Sequence, residues 1–208
     1  MVSIAVVGAN GNIGRCLVTE ALARGHRVTA VVRDPDRYQG LAMEVLPGDV
    51  LEPEDVARVA AGQDALVSAV GGGRVVADAA RSLVAGLREL DDAAPRLLVV
   101  GGAGSLLVGP GVRVWDDLGL PAPLRRTMHA HGEALEYLET VADLAWTVLS
   151  PAELLEPGAR TGRYRTGTDH LMVGADGRSR ITVADYAVAL VDELENPRHL
   201  GERFTVGY

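Results

Sequence analysis

The sequence predicts an α/β fold: a Rossmann-type, doubly wound, mostly parallel sheet with helices on both faces. Three observations lead there. Short β-branched runs alternate with longer segments of helical period, the pattern of a parallel sheet covered on both sides. The first run, Ser3–Val7, passes directly into Gly8-Ala9-Asn10-Gly11-Asn12-Ile13-Gly14 and then into helical spacing. A chain of 208 residues, 48% hydrophobic and 23% charged, has the composition of a folded protein with one sizeable core.

Each element has its own warrant. After the first strand, Asn12–Arg24 reads as a helix stopped by Gly25. Arg27–Val32 is a second strand and Met43–Leu46 a shorter third. Pro53–Ala61 is a helix with acidic residues in its first turn, where they face the positive end of the helix dipole. Ala65–Val70 is the fourth strand, Val75–Leu90 a helix and Arg96–Val100 the fifth strand. Gly101–Pro123, rich in glycine and proline, reads as a loop before a helix at Leu124–Val141 and a sixth strand at Trp146–Leu149. From Pro151 to Gly177 the chain has little periodicity. A helix at Val183–Glu195, stopped by Asn196-Pro197, and a strand at Arg203–Val206 follow. With no repeat or linker, residues 1–208 are expected to form one domain, with 151–180 as a small elaboration on the substrate side.

Bulk properties exclude several functions. A net charge of -8 without any basic run argues against nucleic acid, whose phosphates need a basic face. No apolar run approaches the length of a membrane-spanning helix, and no signal peptide is evident. The lone Cys16 fits a reducing compartment, so a cytoplasmic location is expected, as a monomer or small homo-oligomer acting on a small molecule. All 20 basic side chains are arginines. A chain without lysine has no Schiff base, no Walker lysine and no Tyr–Lys proton relay.

The glycine turn carries the chemistry. Gly8 permits a tight turn after the strand, Gly11 lets backbone approach a pyrophosphate, and Gly14 lets helix pack on strand. The free N–H groups and positive dipole end of the following helix favour phosphates. Asn10, Asn12 and Ile13 complete the turn, and a nicotinamide dinucleotide is the ligand this arrangement predicts.

The spacing is G-x-x-G-x-x-G, and here the sequence resembles the atypical branch of the short-chain dehydrogenase/reductase superfamily, the NmrA-like and NAD(P)H-binding, flavin-reductase-like proteins. GANGNIG, VVRDPDR, GDV, RLLVVGGAGS, TVLSPAELLEPG and RITVADYAVALVDELENP carry the resemblance over nearly the whole chain. It implies that Asp49 and Val50 flank the adenine, and that Ala69, Val70 and Gly71 line the ribose. The position that is acidic in NAD-using relatives is Val32, followed by Arg33, which suits the 2′-phosphate of NADP with Arg37 in support. Asp34 stands where an NAD-type acid could fall. NADP(H) is therefore the preferred cofactor, with NAD(H) the alternative.

The resemblance also implies a tyrosine activated by a lysine four residues later. Tyr137 lies on the appropriate helix, but position 141 is valine, so Tyr137 reads as a packing residue. Ser105 is an imperfect substitute for the serine that relatives carry after strand five. His129 and His131 are the remaining acid–base candidates; two apart on a helix, they point in different directions. Tyr164 and Arg163, with Arg160 and Arg165, fall where relatives build the substrate wall. No spacing suggests a metal site.

A hydride donor with weak proton machinery suits flavins, quinones and similar conjugated acceptors. The expectation is an NADPH-dependent reductase of that kind. The alternatives are a non-catalytic NADP-sensing regulator of NmrA-like type, or an isomerase, epimerase or tailoring enzyme on the same fold.

Overall fold

A computed structural model describes residues 1–38, 40–73 and 75–208. In chain order it contains β1 (Ser3–Val7), α1 (Asn12–Ala23), β2 (Arg27–Val32), β3 (Glu44–Pro47), α2 (Pro53–Ala60), β4 (Ala65–Ser68), α3 (Val75–Arg88) and β5 (Arg96–Val100). There follow β6 (Leu107–Gly109), β7 (Val112–Arg113), α4 (Ala122–Leu138), β8 (Trp146–Ser150) and β9 (Leu154–Glu156). The chain closes with β10 (Arg165–Gly167), β11 (Arg180–Thr182), α5 (Val183–Glu195) and β12 (Glu202–Gly207).

The central sheet has the order β10-β12-β8-β5-β4-β1-β2-β3. Its neighbours are parallel except at the edge, where β10 runs antiparallel to β12. From β1 the chain moves outward through β2 and β3, then returns to pair β4 with the other side of β1. That reversal opens a crevice beyond the carboxyl ends of β1 and β4, the place where open α/β sheets bind ligands.

Alternation along each strand feeds two cores. Ile4 and Val6 face the layer built by α1 and α5, together with Leu17, Leu149 and Phe204. Ala5 and Val7 face the other layer, with Leu66, Leu83, Val99, Leu138 and Trp146. The doubly wound arrangement predicted from the alternating runs is the one observed. Thr182 caps α5, its hydroxyl accepting from the Asp185 N–H at 3.1 Å.

Tyr186, on α5, is wholly buried and its hydroxyl donates to the Leu149 carbonyl at 2.6 Å. Gly101 N–H donates to the same carbonyl at 2.8 Å, so removing the hydroxyl leaves no acceptor unmet. Tyr186→Phe is expected to cost about 1 kcal/mol and to lower Tm by about 2–4 °C in a thermal melt.

The structure departs from expectation in three places. The 101–123 loop contains the β6–β7 hairpin, turned at Pro110 and at Gly111 with φ +70°. The aperiodic stretch after Pro151 contributes β9, which pairs with β11, and β10, which extends the main sheet. Strand four ends at Ser68, although the Ala69 N–H still donates to the Val7 carbonyl at 2.9 Å, and Ala69 and Val70 line the crevice.

Candidate functional site

The crevice is a cleft of about 710 Å³. Gly8 turns the chain out of β1 with φ +80°, a conformation that favours glycine. A Cβ there would also stand 2.8 Å from the Ala69 carbonyl oxygen, where β4 exits beside it. The Gly11 N–H donates to the Gly8 carbonyl at 2.9 Å and closes the turn. Gly11 precedes α1 without any side-chain cap, leaving the first N–H groups of the helix open to an anion. Gly14 serves close packing: a Cβ there would lie 2.2 Å from the Gly8 oxygen and 2.9 Å from Ala9 Cα. Backbone therefore fills what side chains would occupy at Gly8 and Gly14, and the cradle fits a dinucleotide's pyrophosphate.

Of the residues proposed from sequence, Gly8, Asn10, Gly11, Arg33, Asp49, Val50, Ala69, Val70 and Gly71 line this one cleft. Asn12, Ile13 and Gly14 do not. Ile13 packs against the α1–α5 core, and Gly14 is buried in the turn. Val7, Val31, Leu51 and Val75 also line the cleft and were not anticipated; they supply its apolar surface.

Arg33, Asp34 and Arg37 stand at the mouth of the cleft where β2 ends. Arg37 pairs with Asp34 at 3.0 Å, so Asp34 is partly neutralised. The exposed Arg33 has no acidic partner among the described residues. Asn10 ties this segment to the glycine turn: its amide donates to the Arg37 carbonyl at 3.2 Å and its oxygen accepts from Arg15 at 3.4 Å. Asp49 is held by an Asp55 carboxylate oxygen that accepts from its N–H at 2.8 Å, and its own carboxylate accepts from the Leu51 N–H at 3.0 Å.

The three acid–base candidates lie past β5, outside the residues lining the cleft. Ser105 is half-buried, and its Oγ accepts a hydrogen bond from Arg203 at 2.9 Å. His131 packs against Gly102, where an added Cβ would lie 2.9 Å from its own Cβ; burial holds its imidazole below the usual range. His129 is exposed and stacks on Trp115, ring centroids 4.6 Å apart. Tyr137 is half-buried between α3 and α4, with the Arg81 guanidinium 5.6 Å from its ring.

Of the residues assigned to a substrate wall, Arg160, Tyr164 and Arg165 are engaged elsewhere. Arg160 makes a bidentate pair with Glu20 of α1, at 2.6 and 2.8 Å. The Tyr164 hydroxyl donates to Asp192 of α5, and together with burial that carboxylate pushes the phenol up to a value well above its ordinary range. Arg165 donates to the Val173 carbonyl at 2.7 Å and to the Tyr208 carbonyl. Arg163 borders a separate shallow recess with Thr161, Arg180 and Tyr208. Arg160 and Tyr164 fasten the C-terminal segment to the α1–α5 face, because Glu20 and Asp192 meet them there. Among the described residues, none groups as a metal site and no helix is long and apolar enough to cross a membrane.

Comparison with known proteins agrees with this geometry. The family model described as NAD(P)H-binding matches residues 8–194. The uncharacterised protein YwnB of Bacillus subtilis is 41% identical over 208 residues, covering 98% of this chain and 97% of its own. A candidate epimerase from Bacteroides thetaiotaomicron is 39% identical with a TM-score of 0.90, covering 100% of this chain and 98% of that one. A candidate NADH-flavin reductase from Streptococcus pneumoniae is 33% identical with a TM-score of 0.87, covering 100% and 99% respectively.

Proposed function

The chain belongs to the NAD(P)H-binding family, and on that premise we propose that it is an NADPH-dependent reductase passing hydride to a flavin, quinone or similar conjugated small molecule. The observation that carries the cofactor preference is the mouth of the cleft. Val32 ends β2 without a carboxylate, Asp34 is occupied by Arg37, and Arg33 is left to meet a 2′-phosphate. The glycine turn and the N-terminus of α1 hold the pyrophosphate, while Val7, Val31 and Val50 give the adenosine an apolar surround.

When bound, the nicotinamide supplies the hydride. The protein's part is orientation and a limited supply of hydrogen-bond donors. Without lysine, no tyrosine is activated by a neighbouring ammonium, and the half-buried His131 favours its neutral form because desolvation lowers its pKa. Acceptors that delocalise incoming charge and take their proton from water need no more than this. The likeness to a candidate NADH-flavin reductase at 33% identity supports the same acceptor class.

Purified protein supplied with NADPH and a panel of free flavins and quinones is expected to oxidise NADPH, followed by its absorbance, with at least one acceptor. Tight NADPH binding without turnover on the whole panel would instead favour an NADP-sensing protein, a reading supported by the missing Tyr–Lys pair. Conversion of a substrate to its isomer without net NADPH consumption would favour epimerase chemistry, in line with the likeness to a candidate epimerase at 39% identity.

A further inference from the structure

The positive end of a helix dipole favours carboxylates in the first turn and disfavours cations. α2, α3 and α5 follow that rule with Glu54 and Asp55, Asp78, and Asp185. α1 breaks it: its first turn holds no acid, and its fourth residue is Arg15. This side chain is exposed and makes no ion pair among the described residues. Asn10 sets its place. The Asn10 amide nitrogen donates to the Arg37 carbonyl at 3.2 Å, which turns the amide oxygen toward α1, where it accepts from an Arg15 terminal nitrogen at 3.4 Å. Asn10 itself lines the cleft, together with Arg33 and Arg37. Burial raises the Tyr38 phenol above its ordinary value, and the Arg15 cation opposes that rise from close by. Arg15 therefore stands between the glycine turn and the segment that follows β2.

We infer that Arg15 is a second cation of the 2′-phosphate site, joining Arg33 at the mouth of the cleft and selecting NADP over NAD; this rests on the NADPH reading. A phosphate monoester carries close to two negative charges at pH 7, and Arg33 compensates one of them. Arg37 is the nearer choice by sequence, but Asp34 already takes its charge at 3.0 Å. Arg15 has no such partner, and most of its N–H donors are unengaged among the described residues. Turning it toward a phosphate breaks no ion pair. A bound anion also offsets a cation that is otherwise unfavourable at this end of α1.

Paired ligands isolate the group concerned. Adenosine 2′,5′-bisphosphate and adenosine 5′-monophosphate differ only by the 2′-phosphate, as NADPH and NADH do. Titrated into the full chain by calorimetry, Arg15→Gln is expected to weaken the bisphosphate and NADPH about five- to tenfold, and to leave the monophosphate and NADH within about twofold. Arg15→Lys should keep part of the selectivity, since the charge remains. With Arg33→Ala added to Arg15→Gln, NADPH and NADH should bind about equally. Arg37→Gln should cost NADPH affinity about twofold or less, because its charge is shared with Asp34.

Thermal melts of the ligand-free protein supply the second arm. Arg15→Gln removes a cation from the positive end of α1, so its Tm should be unchanged or slightly higher. A lower Tm with equal weakening of all four ligands would mean that Arg15 only supports the fold, and overturns the inference. Wild-type protein that binds NADPH and NADH alike would sink the NADP reading itself. If the wild type prefers NADPH, loses the preference in Arg33→Ala and keeps it in Arg15→Gln, that reading stands and the role of Arg15 alone is overturned. A larger loss in Arg37→Gln than in Arg15→Gln overturns it too, by making Arg37 the second cation.

Discussion

Gly14→Ala is expected to lower stability by about 3 kcal/mol and to abolish dinucleotide binding at ordinary concentrations, whereas Gly11→Ala keeps the fold and weakens binding alone. The two glycines share a turn but face different things. At Gly14 a methyl group would lie 2.2 Å from the Gly8 oxygen and 2.9 Å from Ala9 Cα, both backbone atoms that no rotamer change can move. The turn must open or α1 must lift from β1, and either change exposes core contacts of Leu17 and Val18. At Gly11 the backbone is extended, with φ -72° and ψ 166°, and a methyl group would meet only the Gly8 oxygen at 3.3 Å. Alanine fits there with a slight shift, but its methyl group stands on the wall that phosphates approach. Thermal melts and NADPH titrations of the two variants should separate: a large fall in Tm for the first, and for the second a small change in Tm with about tenfold weaker binding. Unchanged affinity in Gly11→Ala would mean that the turn does not cradle the phosphates.

Arg33→Ala should weaken NADPH binding by about 10- to 30-fold while leaving NADH within about twofold, the loss expected for charge-assisted hydrogen bonds to one phosphate. Arg33 suits this role because, among the described residues lining the cleft, it is an arginine without an acidic partner, Arg37 being paired with Asp34 at 3.0 Å. Added salt should reduce the NADPH advantage of the wild type, since the site is exposed and screened. Lysine at position 33 should recover part of the affinity, because a point charge replaces a fork of donors. Equal weakening of both cofactors would remove the preference for NADP.

The β1–α1–β2 unit was legible because its determinants are local. Strand alternation, the turn geometry and the helix stop at Gly25 are each decided within a few residues, and Gly25 adopts φ +80° at the end of α1. The β6–β7 hairpin was also written locally, in Pro110-Gly111 between two valine-bearing runs, and lay hidden inside a stretch dense in other glycines. β10 left no such mark. Three residues, Arg165–Gly167, become a strand only because β12 offers its edge, and that pairing joins segments far apart in the chain. Arg160 and Tyr164 show the same limit for function. Their chemistry suggested a ligand, but Glu20 and Asp192, brought close by the packing of α1 on α5, take both side chains.

The sequence by itself determined the doubly wound class, the place of the nucleotide cradle and the exclusion of lysine chemistry. Each follows from residue type and short-range geometry, which the chain carries wherever it folds. Tertiary structure alone decided which arginines remain available: Arg33 open at the cleft, Arg37 and Arg160 paired, Arg203 buried behind Ser105. A guanidinium's role is set by the nearest carboxylate or hydroxyl, and in this protein most of those neighbours arrive from distant segments through the packing of the sheet and its helices.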